Sequence, residues 1–350
     1  MMIPSSLSIR DDAIRQSNNL ARRNFAKEPH HDATALCFKA IHPDTGAELG
    51  FIRLLKDKGV LELTNYNAWL PGKSLGIGGT SKTGNEQMAG GHGEGYKVAA
   101  LTMMKHGFDV NIKASECDWE FLVPAQGEKH EGILCADIKK RRPARILTAK
   151  NAYARRQAKE GSITLRQNVW EDVTFTIGKE FKSFVTEGDF QQWINVALDL
   201  DPPTQVLETG FGNIILDDRF KNKVFLKGIL LEDLSASSTL KFGYDVAQGE
   251  IDRERRRLAS NQQAYQLAQI WGAAIRKEPT MVMEYLTMLQ SNIQPGDVKS
   301  AEIYMSRETT KLIWQHLVNE DLEHKKFYYD KENASEVSTV HQKCHKQRGG

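Results

Sequence analysis

Cysteine is scarce in this sequence, and long apolar runs are missing from it. The four cysteines, at positions 37, 117, 135 and 344, have no CxxC spacing, so the sequence predicts neither a zinc ribbon nor a disulfide framework. The amino-terminal residues lack an apolar core of signal-peptide length, and no apolar run approaches membrane-spanning length. A net charge of +2 is too small to indicate a polyanionic partner by itself. We therefore expect a cytoplasmic or nuclear protein without a membrane partner.

The chain does contain enough apolar sequence for a substantial core. Of its 350 residues, 40% are hydrophobic and 26% are charged, and this length predicts two domains. Alternating patterns at 33–42, 49–55 and 60–64 are separated by the turn sequences PDTG and KDKG, so they predict successive antiparallel strands. Further strand patterns follow at 108–112, 119–123, 133–138, 163–168 and 173–177. The first domain is expected to be a sandwich of helices and sheet.

The second half of the sequence predicts another domain of strands and helices. Strands are expected at 213–216, 224–231 and 239–246. Helices are expected at 11–27, 187–200, 251–277, 280–291 and 299–320. The polar segment 325–350 shows no periodicity and is expected to be a flexible tail.

The most informative segment is 75–101, which is rich in glycine and then becomes a helix-forming run. Glycines at 90, 93 and 95 allow positive φ and a close approach of the backbone to a bound group. Lys97 and the apolar residues 98–101 predict a helix, and the backbone amides at a helix start attract anions. This layout suits the phosphates of a nucleoside triphosphate. The alternative is a flexible surface loop that ends in a helix cap.

Two near-matches to the P-loop sequence G-x-x-x-x-G-K-[ST] are incomplete. NAWLPGKS has Asn67 in place of the first glycine, and GIGGTSKT has Ser81 in place of the second. A P-loop leads straight into a helix, whereas both segments lead into more glycine-rich sequence. The dinucleotide motif G-x-G-x-x-G also fails, because GHGEGYK has the wrong spacing. Both kinds of site are therefore disfavoured.

The TSK triplet at 80–82, followed by GGHGEGYKVAAL at 90–101, resembles the lid and the second glycine motif of the GHKL ATPases, the Bergerat-fold group. The likeness is closest to the MutL-like and phage rIIA-like branches. A second likeness lies in 224–256, where VFLKGILL, LKFGYDV and IDRERR are similar to the transducer domain of such ATPases.

The resemblance implies an α+β fold, in which a Bergerat-type sandwich of helices and antiparallel sheet is followed by a transducer-like α/β domain and C-terminal helices. The implied ATP-binding domain covers 1–185, and the transducer-like domain covers 186–278. A helical extension at 279–324 and the tail at 325–350 complete the expected organisation.

The resemblance also implies which residues contact bound ATP. Thr80, Ser81 and Lys82 would close over the phosphates as a lid. Lys97 would approach the phosphates or remain a solvated helix lysine. Lys227 would reach the terminal phosphate as a transducer lysine, or would be an ordinary lysine at a strand edge. The phosphate loop itself would comprise Gly90, Gly91, His92, Gly93, Glu94, Gly95 and Tyr96.

The family's D-x-G motif is altered in this chain. Asn65 replaces the aspartate that accepts a hydrogen bond from the adenine amine. An amide oxygen can still accept that bond, but without charge, so weaker adenine binding is expected. Asn67 replaces the glycine, and asparagine tolerates left-handed backbone geometry better than most residues.

The family's first-helix motif E-x-x-x-N-x-x-D has no clean copy here. One register places Gln16 at the position of the catalytic base and Leu20 at the magnesium ligand. A shifted register offers Asn18 or Asn19 to Mg²⁺ but leaves no base. Because glutamine cannot accept a proton at neutral pH, hydrolysis would be slow or would need another base such as Glu94.

The resemblance implies an ATP-driven conformational switch, in which closure of the lid drives nucleotide-dependent dimerisation. A histidine kinase is disfavoured, because no histidine lies on a plausible dimerisation helix ahead of the ATP-binding segment. The alternative from another class is a non-hydrolysing, degenerate nucleotide-binding module whose basic block contacts nucleic acid.

That basic block, residues 139–159, contains no acidic residue. Its other interpretation is a solvated excursion between strands. Its cations are Lys139, Lys140, Arg141, Arg142, Arg145, Lys150, Arg155, Arg156 and Lys159.

Overall fold

The structure is a computed structural model that describes residues 25–26, 34–42, 45–72, 95–127, 129–161, 163, 165–231, 239–247, 260–299 and 301–324. The chain divides into two compact units, of which the first ends at Pro202 and the second begins at Pro203. This division lies later in the chain than the expected boundary between 185 and 186, so the helix that follows Thr186 belongs to the first unit.

An eight-stranded antiparallel sheet forms the frame of the first unit, with the order β1-β2-β3-β4-β8-β5-β6-β7. Strand β8 lies between β4 and β5, although it follows them by a long interval in the chain. The strands are β1 (Phe25–Ala26), β2 (Ala35–Ile41), β3 (Glu48–Leu55), β4 (Val60–Asn65), β5 (Val110–Ala114), β6 (Cys117–Leu122), β7 (Cys135–Lys140) and β8 (Val173–Ile177).

Helices cover one face of this sheet. The helices of the unit are α1 (Gly95–Lys105), α2 (Pro143–Glu160) and α3 (Glu187–Ile194). The rings of Tyr96 on α1 and Phe175 on β8 lie 6.0 Å apart, and those of Phe190 on α3 and Phe38 on β2 lie 5.9 Å apart. The strand register places Phe38 and Phe175 in one row across the sheet, so α1 and α3 cover the same face. The expected α+β architecture with antiparallel sheet is confirmed.

Local sequence accounts for the start of α3 and the end of α2. Helix α3 begins after Thr186, whose side chain and that of Asp189 form a reciprocal capping box. Helix α2 has a proline in its first turn and ends at Gly161, which has φ 77°. Most of the basic block therefore forms a regular helix, which lies between β7 and β8 in the chain.

The prediction of a strand at 163–168 is wrong for the residues that the structure describes there. Leu165 has φ 53°, which lies outside the range of a strand. The backbone N–H of Asn168 donates to the Asp172 carboxylate at 2.8 Å, instead of joining a ladder. Local polar contacts thus replace strand pairing in this segment.

The second unit contains a five-stranded sheet with the order β12-β11-β13-β10-β9. Among the described strands of this sheet, only β11 and β13 pair in parallel. The expected strand at 224–231 is broken into two by a turn at Lys227 and Gly228, which have φ 50° and 79°. The strands are β9 (Val206–Thr209), β10 (Gly212–Ile215), β11 (Val224–Leu226), β12 (Ile229–Leu230) and β13 (Gly243–Val246).

The C-terminal helices share one core with this sheet. Tyr244 of β13, Trp271, Tyr285 and Ile313 belong to the same buried cluster, so 279–324 packs on the sheet rather than forming a separate extension. The helix expected at 299–320 is two helices. The helices are α4 (Ser260–Lys277), α5 (Met281–Leu289), α6 (Ala301–Tyr304) and α7 (Arg307–His324). None of the helices in the described ranges is long and apolar enough to span a bilayer.

Candidate functional site

Asn65 is a buried amide at the end of an apolar sheet face. It is the last residue of β4 and lies directly opposite Val173 of β8. Residues opposite each other in a ladder share a face, so Asn65 lies on the same face as Val173 and Phe175, which α1 covers. Its exposed fraction is 3%. A polar side chain is unusual at this position, because the residues that precede Asn65 on the same face of β4 are apolar.

Tyr96 brings the start of α1 onto the same face. Its ring packs edge to face on Phe175, two residues along β8 from Val173. Two strand residues span about 7 Å, so Asn65 and the first turn of α1 are near neighbours in this layer. Burial raises the pKa of Tyr96 to about 12, so its hydroxyl remains a hydrogen-bond donor at neutral pH.

The other described residues of the helix start are Gly95 and Lys97. Gly95 is exposed, and a Cβ added there would meet no described atom within 4 Å. Lys97 is half-buried, with Nζ 5.6 Å from the centroid of the Tyr96 ring. The lysine charge is therefore held at the first turn of the helix, as a cation–π contact allows.

Asn67 adopts a left-handed backbone conformation with φ 50°, which asparagine tolerates better than most residues. Its backbone N–H donates to Asp172 Oδ1 at 3.1 Å, and its side-chain Oδ1 accepts from the Arg166 guanidinium at 3.0 Å. These two bonds fix the turn that follows β4. Asn67 thus has a backbone geometry that glycine also adopts readily.

The buried Asp172 and the half-buried Arg166 form an ion pair beside this turn. Arg166 approaches Asp172 Oδ1 at 3.5 Å, and its guanidinium lies 4.6 Å from the centroid of the Tyr66 ring. Burial raises the pKa of Asp172 to about 6, against the opposing effects of the Asn168 N–H, Arg166 and the Asn67 N–H. The carboxylate side chain has no solvent exposure.

Asp172 and Arg166 were not among the residues that the sequence predicts for the site. A carboxylate directly before a strand would have indicated the position of Asp172 only if the pairing of that strand with β4 had been known. The separation of 105 positions between Asn67 and Asp172 conceals this pairing.

Tyr66 anchors the end of β4 on the second face of the sheet. It packs with Cys37 and Phe51 on the face opposite that of Asn65. On that second face, the buried hydroxyls of Thr64 and Thr174 form a 3.0 Å hydrogen bond between β4 and β8. The end of β4 is therefore fixed from both sides, and the position of Asn65 is fixed with it.

Several of the predicted site residues lie outside the described ranges. The six that the structure describes are Asn65, Asn67, Gly95, Tyr96, Lys97 and Lys227. Those outside them are Gln16, Asn19, Thr80, Ser81, Lys82, Gly90, Gly91, His92, Gly93 and Glu94.

Lys227 belongs to the second unit, and its backbone N–H is bonded within that unit. It occupies the turn between β11 and β12, where its N–H donates to the Val246 carbonyl at 3.0 Å. The Asp245 carboxylate accepts the N–H of Gly228 at 2.8 Å. These bonds hold the turn. Lys227 therefore lies in a turn, whereas the sequence predicts a position at a strand edge.

The described residues provide no group of three or more side chains suited to holding a metal ion. One surface pocket of about 430 Å³ lies in the second unit, away in sequence from the glycine-rich segment. Lys277, which lines it, donates to the Glu208 carbonyl at 2.9 Å. This pocket contains none of the predicted site residues. Its lining residues are Glu208, Thr209, Gly210, Ala273 and Lys277.

Comparisons with known proteins leave the function to be argued from the residues and their geometry. No protein-family model matches the sequence, and no curated protein matches it either. A proposal of function therefore depends on the motif likeness at 80–82 and 90–101 and on the arrangement around Asn65.

Proposed function

We propose that this protein binds ATP with Mg²⁺ between the end of β4 and the start of α1, and that it is a conformational switch of the GHKL type. The observation that carries the proposal is the placement of the buried Asn65 amide on the sheet face that the Tyr96 end of α1 covers. The glycine-rich segment 73–94 joins these two points in the chain.

Asn65 is proposed to recognise adenine. Its side-chain oxygen accepts from the adenine amine, and its NH₂ group can donate to a ring nitrogen. In a buried apolar setting a neutral hydrogen bond is stronger than in water. Because the charge of an aspartate is missing, we expect weaker adenine binding than an aspartate would give at this position.

The segment ahead of Tyr96 is proposed to hold the triphosphate. The backbone amides of residues 92–96 and the dipole of α1 favour an anion at this helix start. Lys97, held at the first turn, adds positive charge on the same side. The TSK triplet at 80–82 is proposed to close over the phosphates, and Asn19 to bind Mg²⁺. Closure would change the affinity of the protein for a second copy of itself.

A second candidate function is binding without hydrolysis, and the sequence observation that favours it is Gln16 at the position of the base. Glutamine has no titratable group that could accept a proton from water. We therefore expect turnover to be slow at best, even if ATP binding is tight.

Two measurements on the full chain test the proposal and separate its two forms. The first is binding of a non-hydrolysable ATP analogue with Mg²⁺, and the second is release of phosphate from Mg²⁺-ATP. Binding with slow release supports the switch, and binding without release supports the non-hydrolysing module. No binding of the analogue or of ATP overturns both.

A further inference from the structure

Helix α2 packs against the rest of the first unit along a narrow strip of side chains, the seam. Ile146 is its one buried side chain, and the half-buried Tyr153 packs edge to face on Trp170 with ring centroids 6.1 Å apart. The helix spans 18 residues, which corresponds to about 27 Å. Helices of globular proteins normally bury a wide apolar stripe, so a helix that buries so little presents most of its circumference to solvent.

The exposed surface of α2 and the strand end before it is strongly positive. Lys139 pairs with Asp137 at 2.8 Å, and Arg141 pairs with Asp118 at 2.6 Å. Arg156 lies 3.7 Å from Glu160, the single acid of the helix. The remaining cations of the block have no ion pair with any described residue, and these are Lys140, Arg142, Arg145, Lys150, Arg155 and Lys159.

The cations of the helix are concentrated on one side of it, next to the seam. At about 100° per residue, Arg145, Arg155, Arg156 and Lys159 fall within an arc of about 100° that begins about 80° from Ile146. All four are exposed. Like charges gathered in this way repel one another, and a polyanion that binds along the helix would relieve that repulsion.

We propose that this surface, the α2 basic surface (Lys140, Arg142, Arg145, Arg155, Arg156 and Lys159), binds the phosphate backbone of a nucleic acid duplex. Duplex DNA carries one negative charge for about every 1.7 Å of its axis, so a helix of about 27 Å lies alongside many phosphates. Arginine forms paired hydrogen bonds with phosphate oxygens, which suits the arginines of this surface. Contacts of this kind do not read base sequence.

The side chains around the helix favour a duplex over a membrane or a single strand. Leu147, at 60% exposed, is the one large exposed apolar side chain of α2, whereas a helix that lies in a lipid interface needs an apolar face. The aromatic rings nearby are already in contact with protein, since Tyr153 packs on Trp170 and Lys150 Nζ lies 5.8 Å from the centroid of the Trp170 ring. They are thus poorly placed as stacking platforms for the bases of a single strand.

This proposal is independent of ATP binding, because it depends on the exposed helix and its charges. The test is fluorescence anisotropy of a labelled duplex DNA of arbitrary sequence, titrated with the full chain over a range of salt concentrations. The test variant is Arg145→Gln, Arg155→Gln, Lys159→Gln. The control variant is Lys299→Gln, Arg307→Gln, Lys311→Gln, which removes the same charge from exposed positions of the second unit.

We expect the wild-type protein to bind the duplex with an affinity that falls steeply with salt. The test variant should lower the slope of log K against log salt by about 2 to 3 and weaken binding at least about tenfold, whereas the control should change the affinity less than about threefold. No binding by the wild-type protein, or equal losses in both variants, would overturn the proposal. If the wild-type protein bound vesicles of anionic lipid and not DNA, and the test variant lost that binding, the proposal would be overturned in favour of a membrane surface.

Discussion

The guanidinium of Arg166 donates a 3.0 Å hydrogen bond to Oδ1 of Asn67 while it lies over the ring of Tyr66. One side chain therefore links the segment before β8 to the turn after β4. The backbone of Asn67 is bonded to Asp172 in the same place. Because this turn directly follows Asn65, its rigidity sets the position of the amide that we propose to recognise adenine.

Because Asn67 has a left-handed backbone conformation, its replacement by glycine and by valine should lower the free energy of unfolding by different amounts. Asn67→Val should destabilise the first unit by about 2 to 4 kcal/mol, because a β-branched residue is strained at φ 50° and the bond from Arg166 is lost. Asn67→Gly loses the same bond without strain and should cost about 1 kcal/mol. Urea unfolding of the two variants checks this. Equal costs would show that the backbone conformation is not the cause.

Substitutions of Asn65 test its proposed contact with adenine. Asn65→Leu retains a buried side chain of similar size but cannot accept a hydrogen bond, so affinity for an ATP analogue should fall at least about tenfold. Asn65→Asp supplies a charged acceptor and should bind as tightly as the wild type or more tightly. Calorimetric titration of both folded variants measures the difference. Unchanged affinity in Asn65→Leu would remove this residue from the site.

The buried carboxyl of Asp172 predicts a pH dependence of stability. Its pKa is raised in the folded protein to about 6 from 3.8, so the folded state takes up the proton first as the pH falls. The stability of the first unit should therefore rise on acidification, by about 1.4 kcal/mol between about pH 7 and pH 5 from this group. Hydrogen exchange of β4 and β8 at both pH values, in the wild type and in Asp172→Asn, isolates the effect. Parallel pH profiles of the two proteins would contradict it.

In the second unit, Asp297 links the start of β13 to the helices. Its buried carboxylate accepts the hydroxyl of Tyr244 and the N–H of Lys241 at 2.7 Å, and Trp271 donates to the same hydroxyl at 2.8 Å. Asp297→Ala leaves several buried donors without an acceptor and should cost about 3 kcal/mol or more, whereas Tyr244→Phe should cost about 1 to 2 kcal/mol. Denaturant unfolding followed by circular dichroism ranks the two. The reverse order would contradict the account of this network.

Much of the first sheet could be predicted from local sequence. Alternation of apolar and polar residues and the two tight turns correctly indicated the β2, β3 and β4 hairpins, because these signals are confined to neighbouring residues. The start of α1 followed the glycine-rich segment as expected. The sequence indicated only that asparagine would tolerate a left-handed conformation at position 67, and the structure has φ 50° there.

Features that depend on distant pairing could not be predicted in this way. The ion pair of Arg166 and Asp172 exists because β8 pairs with β4, and no local pattern specifies that neighbour. The alternation at 163–168 suggested a strand, but Leu165 has φ 53° and the N–H of Asn168 donates to the Asp172 carboxylate instead of pairing in a ladder. The strand expected at 224–231 was broken by left-handed residues at Lys227 and Gly228, which the run of apolar residues conceals.

The central claim is that the glycine-rich segment ahead of Tyr96 holds the phosphates of ATP, and the most direct measurement is the affinity of the full chain for an ATP analogue with Mg²⁺. The double variant Gly93→Val, Gly95→Val is compared with Gly210→Val, a control in the second unit whose added Cβ would meet no described atom within 4 Å. We predict that the wild type and the control bind equally and that the double variant binds at least about tenfold more weakly, because added side chains block the approach of the phosphates. Equal affinity in all three proteins, or no binding in any of them, would contradict the claim.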